Sequence, residues 1–155
     1  MTAASDQFEA VTRRIFHKLA EYFGLEHVEG SRQYSAQDSG VLRQIDITAY
    51  RIDGGMVLIE CKRHNRPLTI DKVDAFHTVI YTDVGADGGI LVSSKGFTDG
   101  AVKSAQAKRI ALVTLNEDAT EQEFILSIAD VVLKGTTCDA AMLFRLRAQN
   151  GEEER

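Results

Sequence analysis

The segment that most constrains the fold is Met56–Lys62, which is apolar except for its last three residues. A short run of this kind is typical of a central β-strand that is covered on both faces. The preceding segment, Arg43–Arg51, alternates apolar and polar side chains with a period of two, which predicts a strand with one buried face. Asp53-Gly54-Gly55 lies between them and is a turn signal. The two segments therefore predict an antiparallel hairpin.

The segments around this hairpin predict an α/β fold. Before it, helical spacing of apolar residues predicts a helix over Asp6–Phe23, and Glu26–Gln37 is expected to hold one or two strands. After it, helical and extended patterns alternate: a helix from Thr69, a strand over Gly88–Val92, a helix from Thr98 to about Lys108, and a strand over Ile110–Leu115. This alternation implies parallel crossovers, and hence a mixed β-sheet flanked by helices in the order α-β-β-β-α-β-α-β. Two further elements are expected within Glu121–Leu133 and Cys138–Arg147.

Length and composition predict one globular domain, residues 1–148, followed by a polar tail, residues 149–155. With 44% hydrophobic and 26% charged residues, the chain does not have the composition of a disordered protein. No segment approaches the roughly 20 apolar residues of a membrane helix, and the N-terminus lacks the features of a secretory signal. Two cysteines are too few for a disulfide framework. These features favour a reducing, cytoplasmic setting and no membrane partner.

The charges are distributed unevenly. A net charge of -5 argues against nucleic-acid binding over the whole surface. Between residues 62 and 72, however, four cations face a single anion, which gives a local charge of +3. The cations are Lys62, Arg63, Arg66 and Lys72. The sequence therefore predicts one basic loop on an acidic body.

Polar residues that interrupt the strand patterns indicate where a site should lie. Glu60 and Lys62 are two apart, so both project from one face of their strand. A two-residue hairpin turn would place Asp46 opposite Cys61 and on the other face. A three-residue loop, Asp53-Gly54-Gly55, would instead place Asp46 opposite Lys62 and Glu60 opposite Thr48. Three-residue loops with glycine in the left-handed position are common hairpin connections, so we predict this loop or an equivalent bulge, which brings all three charged residues to one face.

Two carboxylates on neighbouring strands can share a hard cation. Mg²⁺ prefers oxygen ligands, keeps several waters and is suited to phosphate chemistry, with Mn²⁺ as the expected substitute. Asp46 and Glu60 would supply carboxylate oxygens, and the backbone carbonyl of Cys61 could supply another. The ammonium of Lys62 could orient a water or neutralise charge on phosphorus. The simpler interpretation of Glu60 and Lys62 is an ion pair at a strand end.

These residues also resemble a family signature. Asp46, thirteen intervening residues and Glu60-Cys61-Lys62 at the end of an apolar strand resemble the PD-(D/E)xK nuclease motif. The setting is similar to the Mrr-like restriction endonuclease domain, in which a segment like Gly88–Ala101 also occurs. The resemblance covers about Phe8 to Leu115, although Ile45 stands where the signature has proline.

The resemblance implies residue roles and a function. Asp46 and Glu60 would bind metal, Lys62 would be the catalytic lysine, Glu9 would help to hold the metal or its water, and Gln44 could assist. The implied activity is metal-dependent DNA endonuclease, in restriction or defence, acting as a homodimer because two-fold related sites can cut two strands. The acidic charge suggests a partner chain or separate recognition domain. Alternatives are a Holliday-junction-type nuclease and a catalytically silent nuclease fold that acts as a binding module.

Several residues have competing interpretations. The basic-loop residues Arg63, His64, Arg66 and Lys72 are predicted to contact DNA phosphates, but could form a solvated loop. Glu9 could cap the first helix and complement its dipole. Other polar residues are expected to have structural roles: His77 in packing, Cys61 and Cys138 as core thiols, and Ser93, Ser94 and Thr98 in turns and caps, with phosphate contact as the alternative for the last three.

Overall fold

The computed structural model describes residues 3–19 and 25–115. The elements expected within Glu121–Leu133 and Cys138–Arg147, and the tail 149–155, lie outside these ranges. The described elements follow in chain order: α1 (Ala3–Leu19), β1 (Leu25–Glu29), β2 (Arg32–Ser35), β3 (Leu42–Ile45), β4 (Ile47–Arg51), β5 (Met56–Lys62), α2 (Ile70–His77) with a π-helical continuation (Thr78–Val84), β6 (Gly88–Ser93), α3 (Asp99–Lys108) and β7 (Ile110–Thr114).

Five strands form a mixed sheet in the order β1-β4-β5-β6-β7. The strands β1, β4 and β5 pair antiparallel, whereas β5, β6 and β7 pair parallel through helical crossovers. The remaining strands, β2 and β3, form a separate two-stranded sheet, which we call the ribbon. The predicted α/β class with a mixed sheet flanked by helices is therefore confirmed. No helix in the described ranges is long and apolar enough to span a bilayer.

The sheet separates two hydrophobic cores. On one face, Phe8, Ile15 and Phe16 of α1 pack on the sheet together with Val57 and Ile59 of β5. On the other face, α2, its π-helical continuation and α3 pack against Leu58 and the rest of the second core. Alternate residues of β5 thus enter opposite cores, as expected of a central strand covered on both faces. Large apolar side chains on both sides hold this strand, and its polar end, in a fixed position.

The predicted continuous strand over Arg43–Arg51 is wrong. The chain bends at Asp46, so that β3 ends at Ile45 and β4 begins at Ile47. Ile45 enters the core beneath α2 and α3, while Ile47 enters the core beneath α1. Thr48, expected to be exposed, is fully buried, and a 2.8 Å hydrogen bond with the Tyr34 hydroxyl satisfies its own hydroxyl. Both faces of β4 are therefore covered.

The predicted register of the β4–β5 hairpin is also wrong, by two residues. Thr48 pairs with Leu58, not Glu60, and Tyr50 pairs with Met56. The three-residue loop exists but is Ile52-Asp53-Gly54, closed by the Arg51 N–H donating to the Gly55 carbonyl at 2.8 Å. Gly54 has a φ of +91° and takes the left-handed position that such a loop requires. A two-residue shift leaves every side chain of β4 and β5 on the same face, so Glu60 and Lys62 still share theirs. Asp46 lies at the bend, outside this ladder, so the register does not assign its face.

Candidate active site

The bend at Asp46 fixes the position of its carboxylate. Asp46 Oδ2 accepts a 2.9 Å hydrogen bond from the backbone N–H of Cys61. Cys61 lies between Glu60 and Lys62 at the end of β5. The side chain of Asp46 is therefore attached to the backbone of the segment that carries the other two residues. The predicted opposition of Asp46 and Lys62 is not needed to bring the three together.

Glu60 and Lys62 lie on one face of β5 and pair with each other. Lys62 Nζ lies 3.6 Å from Glu60 Oε1, and their side chains are 36% and 22% exposed, respectively. At 3.6 Å the two groups form an ion pair but not a short hydrogen bond. The ammonium of Lys62 is therefore available to other acceptors. The cluster of Asp46, Glu60 and Lys62 thus contains two anions and one partly exposed cation.

The two carboxyl groups are electrostatically crowded. Burial raises the pKa of Asp46, while the Cys61 N–H and the charge of Lys62 act in the opposite direction. Burial also raises the pKa of Glu60, Lys62 lowers it, and Asp46 raises it further. Each anion is therefore held with less water around it than it would have in the unfolded chain. An additional cation would relieve this repulsion.

Glu9 joins the cluster from α1. Its side chain is buried, at 8% exposure, and its pKa is raised first by burial and next by the charge of Asp46. Arg13, one turn later on the same helix, lowers the pKa in part. The effect of Asp46 on the pKa of Glu9 places the Glu9 carboxyl within electrostatic reach of Asp46, although the acidic side chains of the described residues do not form a group of three close enough to hold an ion. A role restricted to capping α1 does not explain a buried Glu9.

The other predicted site residues lie in different surroundings. Gln44 is exposed on the ribbon, where its Nε2 donates to Ser31 Oγ at 3.1 Å, and no hydrogen bond in the described ranges connects it to Asp46. The thiol of Cys61 faces the core beneath α1, where burial raises its pKa well above the ordinary value. A neutral buried thiol is a poor nucleophile, so only the backbone carbonyl of Cys61 is a candidate ligand.

The basic loop leaves β5 directly from Lys62. Arg63, His64 and Arg66 are exposed, and Lys72 is exposed in the first turn of α2. The charge of Lys72 lowers the pKa of Glu60, which relates this residue electrostatically to the cluster. The basic loop thus begins at the cluster, and Lys72 lies within electrostatic reach of Glu60.

The sequence predicts a turn or cap for Ser94 but not that it joins two loops at the carboxyl ends of β5 and β6. Ser94 Oγ accepts from the His64 N–H and donates to the His64 carbonyl, both at 3.0 Å. A backbone bridge between Leu68 and Phe97 then joins the loop after β5 to the loop after β6. We call these joined segments, residues 63–69 and 94–98, the double loop. The only signal in the sequence was a serine pair at the end of an apolar strand.

Other polar residues have structural roles. Ser93 Oγ donates to the Gly96 carbonyl at 2.9 Å, and Thr98 Oγ1 accepts from the Ala101 N–H at the start of α3. The His77 ring packs on that of Tyr81, with centroids 5.0 Å apart. These contacts agree with the turn, capping and packing interpretations of these residues.

The donor set of the cluster fits a hard cation that keeps most of its water. Among the described residues, no three His, Cys, Asp or Glu side chains are grouped closely enough to hold an ion by themselves. Two crowded, partly desolvated carboxylates with an adjacent backbone carbonyl are nevertheless an oxygen-only set. Mg²⁺ binds in this way, through one or two carboxylates, water and substrate phosphate. The residues therefore fit magnesium better than a metal that requires a complete protein cage.

Comparison with known families and structures agrees with the fold. A family described as restriction endonuclease, of the Mrr catalytic type, matches residues 2–119, which is more than half of the chain. No curated protein matches the sequence.

Three solved structures share the fold. Can2 from Sulfobacillus thermosulfidooxidans, solved with cyclic tetra-adenylate, has a TM-score of 0.62 at 16% identity, covering 80% of this chain and 36% of Can2. Protein VC1899 from Vibrio cholerae has a TM-score of 0.59 at 14% identity, covering 83% and 32%. AF1548, titled a protein of unknown function, has a TM-score of 0.53 at 21% identity, covering 86% and 79%. The chain thus spans about a third of the length of Can2 and VC1899.

Proposed function

Because this chain belongs to the restriction endonuclease family of the Mrr type, we propose that it is a metal-dependent DNA endonuclease with Asp46, Glu60 and Lys62 in its active site. The observation that carries the proposal is the 2.9 Å hydrogen bond from the Cys61 N–H to Asp46. This bond holds one carboxylate beside the strand end that bears the other carboxylate and the lysine. A strand-end ion pair alone would not require a third charged residue fixed to the intervening backbone.

Asp46 and Glu60, with the Cys61 carbonyl, would hold Mg²⁺ or Mn²⁺. When bound, such an ion polarises a phosphodiester and lowers the pKa of an attacking water. Lys62 Nζ donates hydrogen bonds, and its position beside Glu60 lets it orient water or stabilise negative charge that develops on the phosphate oxygens. Glu9, buried near Asp46, would accept a hydrogen bond from water at the back of the site. Gln44 is not required for these steps.

The basic loop would position the DNA backbone. Arg63, His64, Arg66 and Lys72 can donate to successive phosphate oxygens on the approach to Lys62. A role in restriction or defence, and a homodimer that cuts both strands, belong to the same proposal, as does a partner chain or recognition domain that would compensate for the net charge of -5.

Plasmid nicking tests the proposed activity. We expect the purified protein to nick supercoiled plasmid with Mg²⁺ and to lose this activity with a chelator. The nicking rate of Lys62→Ala should be lower than that of the wild type by at least about a hundredfold. Lys103→Ala, which removes an exposed lysine from α3, is the matched control and should nick at the wild-type rate. Asp46→Asn should behave like Lys62→Ala, because a neutral amide is a weaker ligand for magnesium.

Two results would contradict the proposal. Chelator-resistant cleavage, or equal activity of Lys62→Ala and the wild type, would exclude this site. No cleavage of plasmid, linear duplex or single strands with either metal would favour the silent binding module. A four-way junction cut in preference to plasmid would identify a junction-specific nuclease.

A further inference from the structure

We propose that the outer face of the ribbon reads base edges in a DNA groove next to the cleavage site. The inference depends on the proposed function for its DNA partner. It concerns a surface that the cluster and the basic loop do not use. The outer face consists of Gln33, Ser35, Leu42 and Gln44, which alternate in the sequence with the residues that face the protein.

The ribbon is held rigidly by its inner face. Ile45 is 1% exposed in the core beneath α2 and α3. The Tyr34 hydroxyl bonds to Thr48 at 2.8 Å, and Arg43 Nε lies 2.8 Å from Oδ2 of the buried Asp83. These three contacts attach both strands to the body of the domain. A rigid support of this kind keeps the outer side chains in defined positions, which base recognition needs.

The side chains of the outer face are suited to contact base edges and not the phosphate backbone. All four of its residues are exposed and uncharged, in a chain with 26% charged residues. Gln33 and Gln44 are directly opposite each other, so their side chains start about 5 Å apart. A glutamine amide offers both a donor and an acceptor, the pattern that pairs with adenine in the major groove. A two-stranded ribbon is also narrow enough to enter that groove.

The position of the ribbon favours DNA as the partner. β3 ends at Ile45 and the next residue is Asp46, so the ribbon is continuous in the chain with the cluster that would receive a phosphate. Both arginines of residues 31–45 are ion-paired on the inner face, Arg32 with Glu29 and Arg43 with Asp83, so the outer face itself is uncharged, which suits contact with base edges. Val41 and Leu42, near the ribbon turn, are 50% and 62% exposed and could contact thymine methyl groups.

Site-specific photo-crosslinking tests whether this face meets the bases. A benzophenone amino acid introduced at position 33 should cross-link to bases of a 20-base-pair duplex in chelator, where no cleavage occurs. The same group at position 106, an exposed glutamine at the far end of α3, is the control and should not cross-link. Cross-links to a second copy of the chain would identify an interface between copies and overturn the inference.

Selection from random duplexes tests base reading itself. We expect the wild type to enrich particular bases within about one helical turn of DNA. In the double variant Gln33→Ala/Gln44→Ala, the enrichment of these bases should be about tenfold weaker. Gln106→Ala should retain the wild-type preference. An unchanged preference in the double variant would overturn the inference.

The outcomes separate this inference from the proposed function. Plasmid nicking without ribbon cross-links rejects the ribbon but keeps the nuclease. Ribbon cross-links without nicking keep the ribbon as a DNA-binding element and reject the nuclease. A wild-type chain that binds no duplex in chelator overturns the ribbon inference directly.

Discussion

Asp46 leaves the β-ladder and uses its carboxylate to accept the hydrogen bond from the N–H of Cys61. The residue thereby satisfies a backbone donor at a strand end, where unpaired donors are costly. The same carboxylate raises the pKa values of Glu9 and Glu60. One side chain therefore has both a structural and an electrostatic effect, and the two can be separated by a neutral isostere.

Asp46→Asn should stabilise the metal-free protein at neutral pH. The pKa of Asp46 is raised in the folded state, so the native protein binds more protons than the unfolded chain, and stability falls as pH rises above the unfolded value of about 3.9. The asparagine carbonyl can still accept from Cys61. We expect the melting temperature in chelator to rise by about 3 °C at pH 7, with no gain below pH 4.

Asp53→Asn is a control for which we expect the opposite change in stability at pH 7. The backbone N–H of Gly55 is the largest cause that lowers the pKa of Asp53. This carboxylate therefore contributes stability above the unfolded pKa and loses it as pH falls, so the variant should melt below the wild type at pH 7. An Asp46→Asn protein that is less stable than the wild type at pH 7 would contradict the crowding described for the cluster.

The common face of Glu60 and Lys62 could be predicted because the period of a strand is two. The bend at Asp46 could not, since Ile45 and Ile47 continue the alternation in sequence and yet enter opposite cores. Thr48 shows the reason: its buried hydroxyl is satisfied by the hydroxyl of Tyr34, fourteen residues earlier, and a local pattern carries no information about that partner. The contribution of Glu9 likewise depends on how α1 packs on the sheet.

Among the elements, the ribbon depends on a partly buried ion pair. Arg43 is 44% exposed and Asp83 only 5%, so removal of the arginine would leave a buried carboxylate without its partner. We expect Arg43→Ala to cost about 3 kcal/mol of unfolding free energy in urea titrations. Arg32→Ala, which removes an exposed partner of Glu29, should cost at most about 1 kcal/mol. Equal losses would show that Arg43 does not anchor the ribbon.

The second element-level prediction concerns the contact between β6 and the π-helical segment. A Cβ built on Gly89 would overlap the Ile80 side chain and lie 3.0 Å from Phe76 Cε1. Gly89→Ala should therefore cost about 2 kcal/mol, because the packed core cannot move away freely. Gly100→Ala in α3 meets nothing closer than 3.9 Å and should be neutral or stabilising. Thermal melts of the two variants measure these changes in stability. An unchanged melting temperature for Gly89→Ala would show that the π-helical segment can shift away from β6.

The helices and strands were largely predictable from periodicity, and their alternation after β5 predicted the parallel part of the sheet. The ribbon was not predicted as a separate sheet, because Leu42–Ile45 and Ile47–Arg51 form one uninterrupted alternating pattern in sequence. The hairpin register was missed because Ile52, placed in the strand for its hydrophobicity, is 73% exposed in the loop. Fully buried residues are mostly apolar, but an apolar residue is often exposed.

At the scale of the whole molecule, four cations, Lys62, Arg63, Arg66 and Lys72, lie at the end of β5, in the loop that follows it and in the first turn of α2. Phosphate contacts by about four cations predict that log affinity for duplex DNA falls with log salt at a slope near -3.5. Arg63→Ala/Arg66→Ala should reduce the magnitude of this slope by about two, and Lys103→Ala should not change it. Fluorescence anisotropy in chelator over a range of NaCl concentrations measures the slope. A slope unchanged by the double variant would place the phosphate contacts elsewhere.

The double loop has a consequence for protein engineering. Since Ser94 and the Leu68–Phe97 bridge fasten the segment after β5 to the segment after β6, neither can be transplanted into another scaffold by itself. A chimaera would need residues 62–69 and 93–98 as one cassette, on two adjacent parallel strands. Libraries that vary one segment alone should yield many misfolded members, whereas paired randomisation of both should preserve folding.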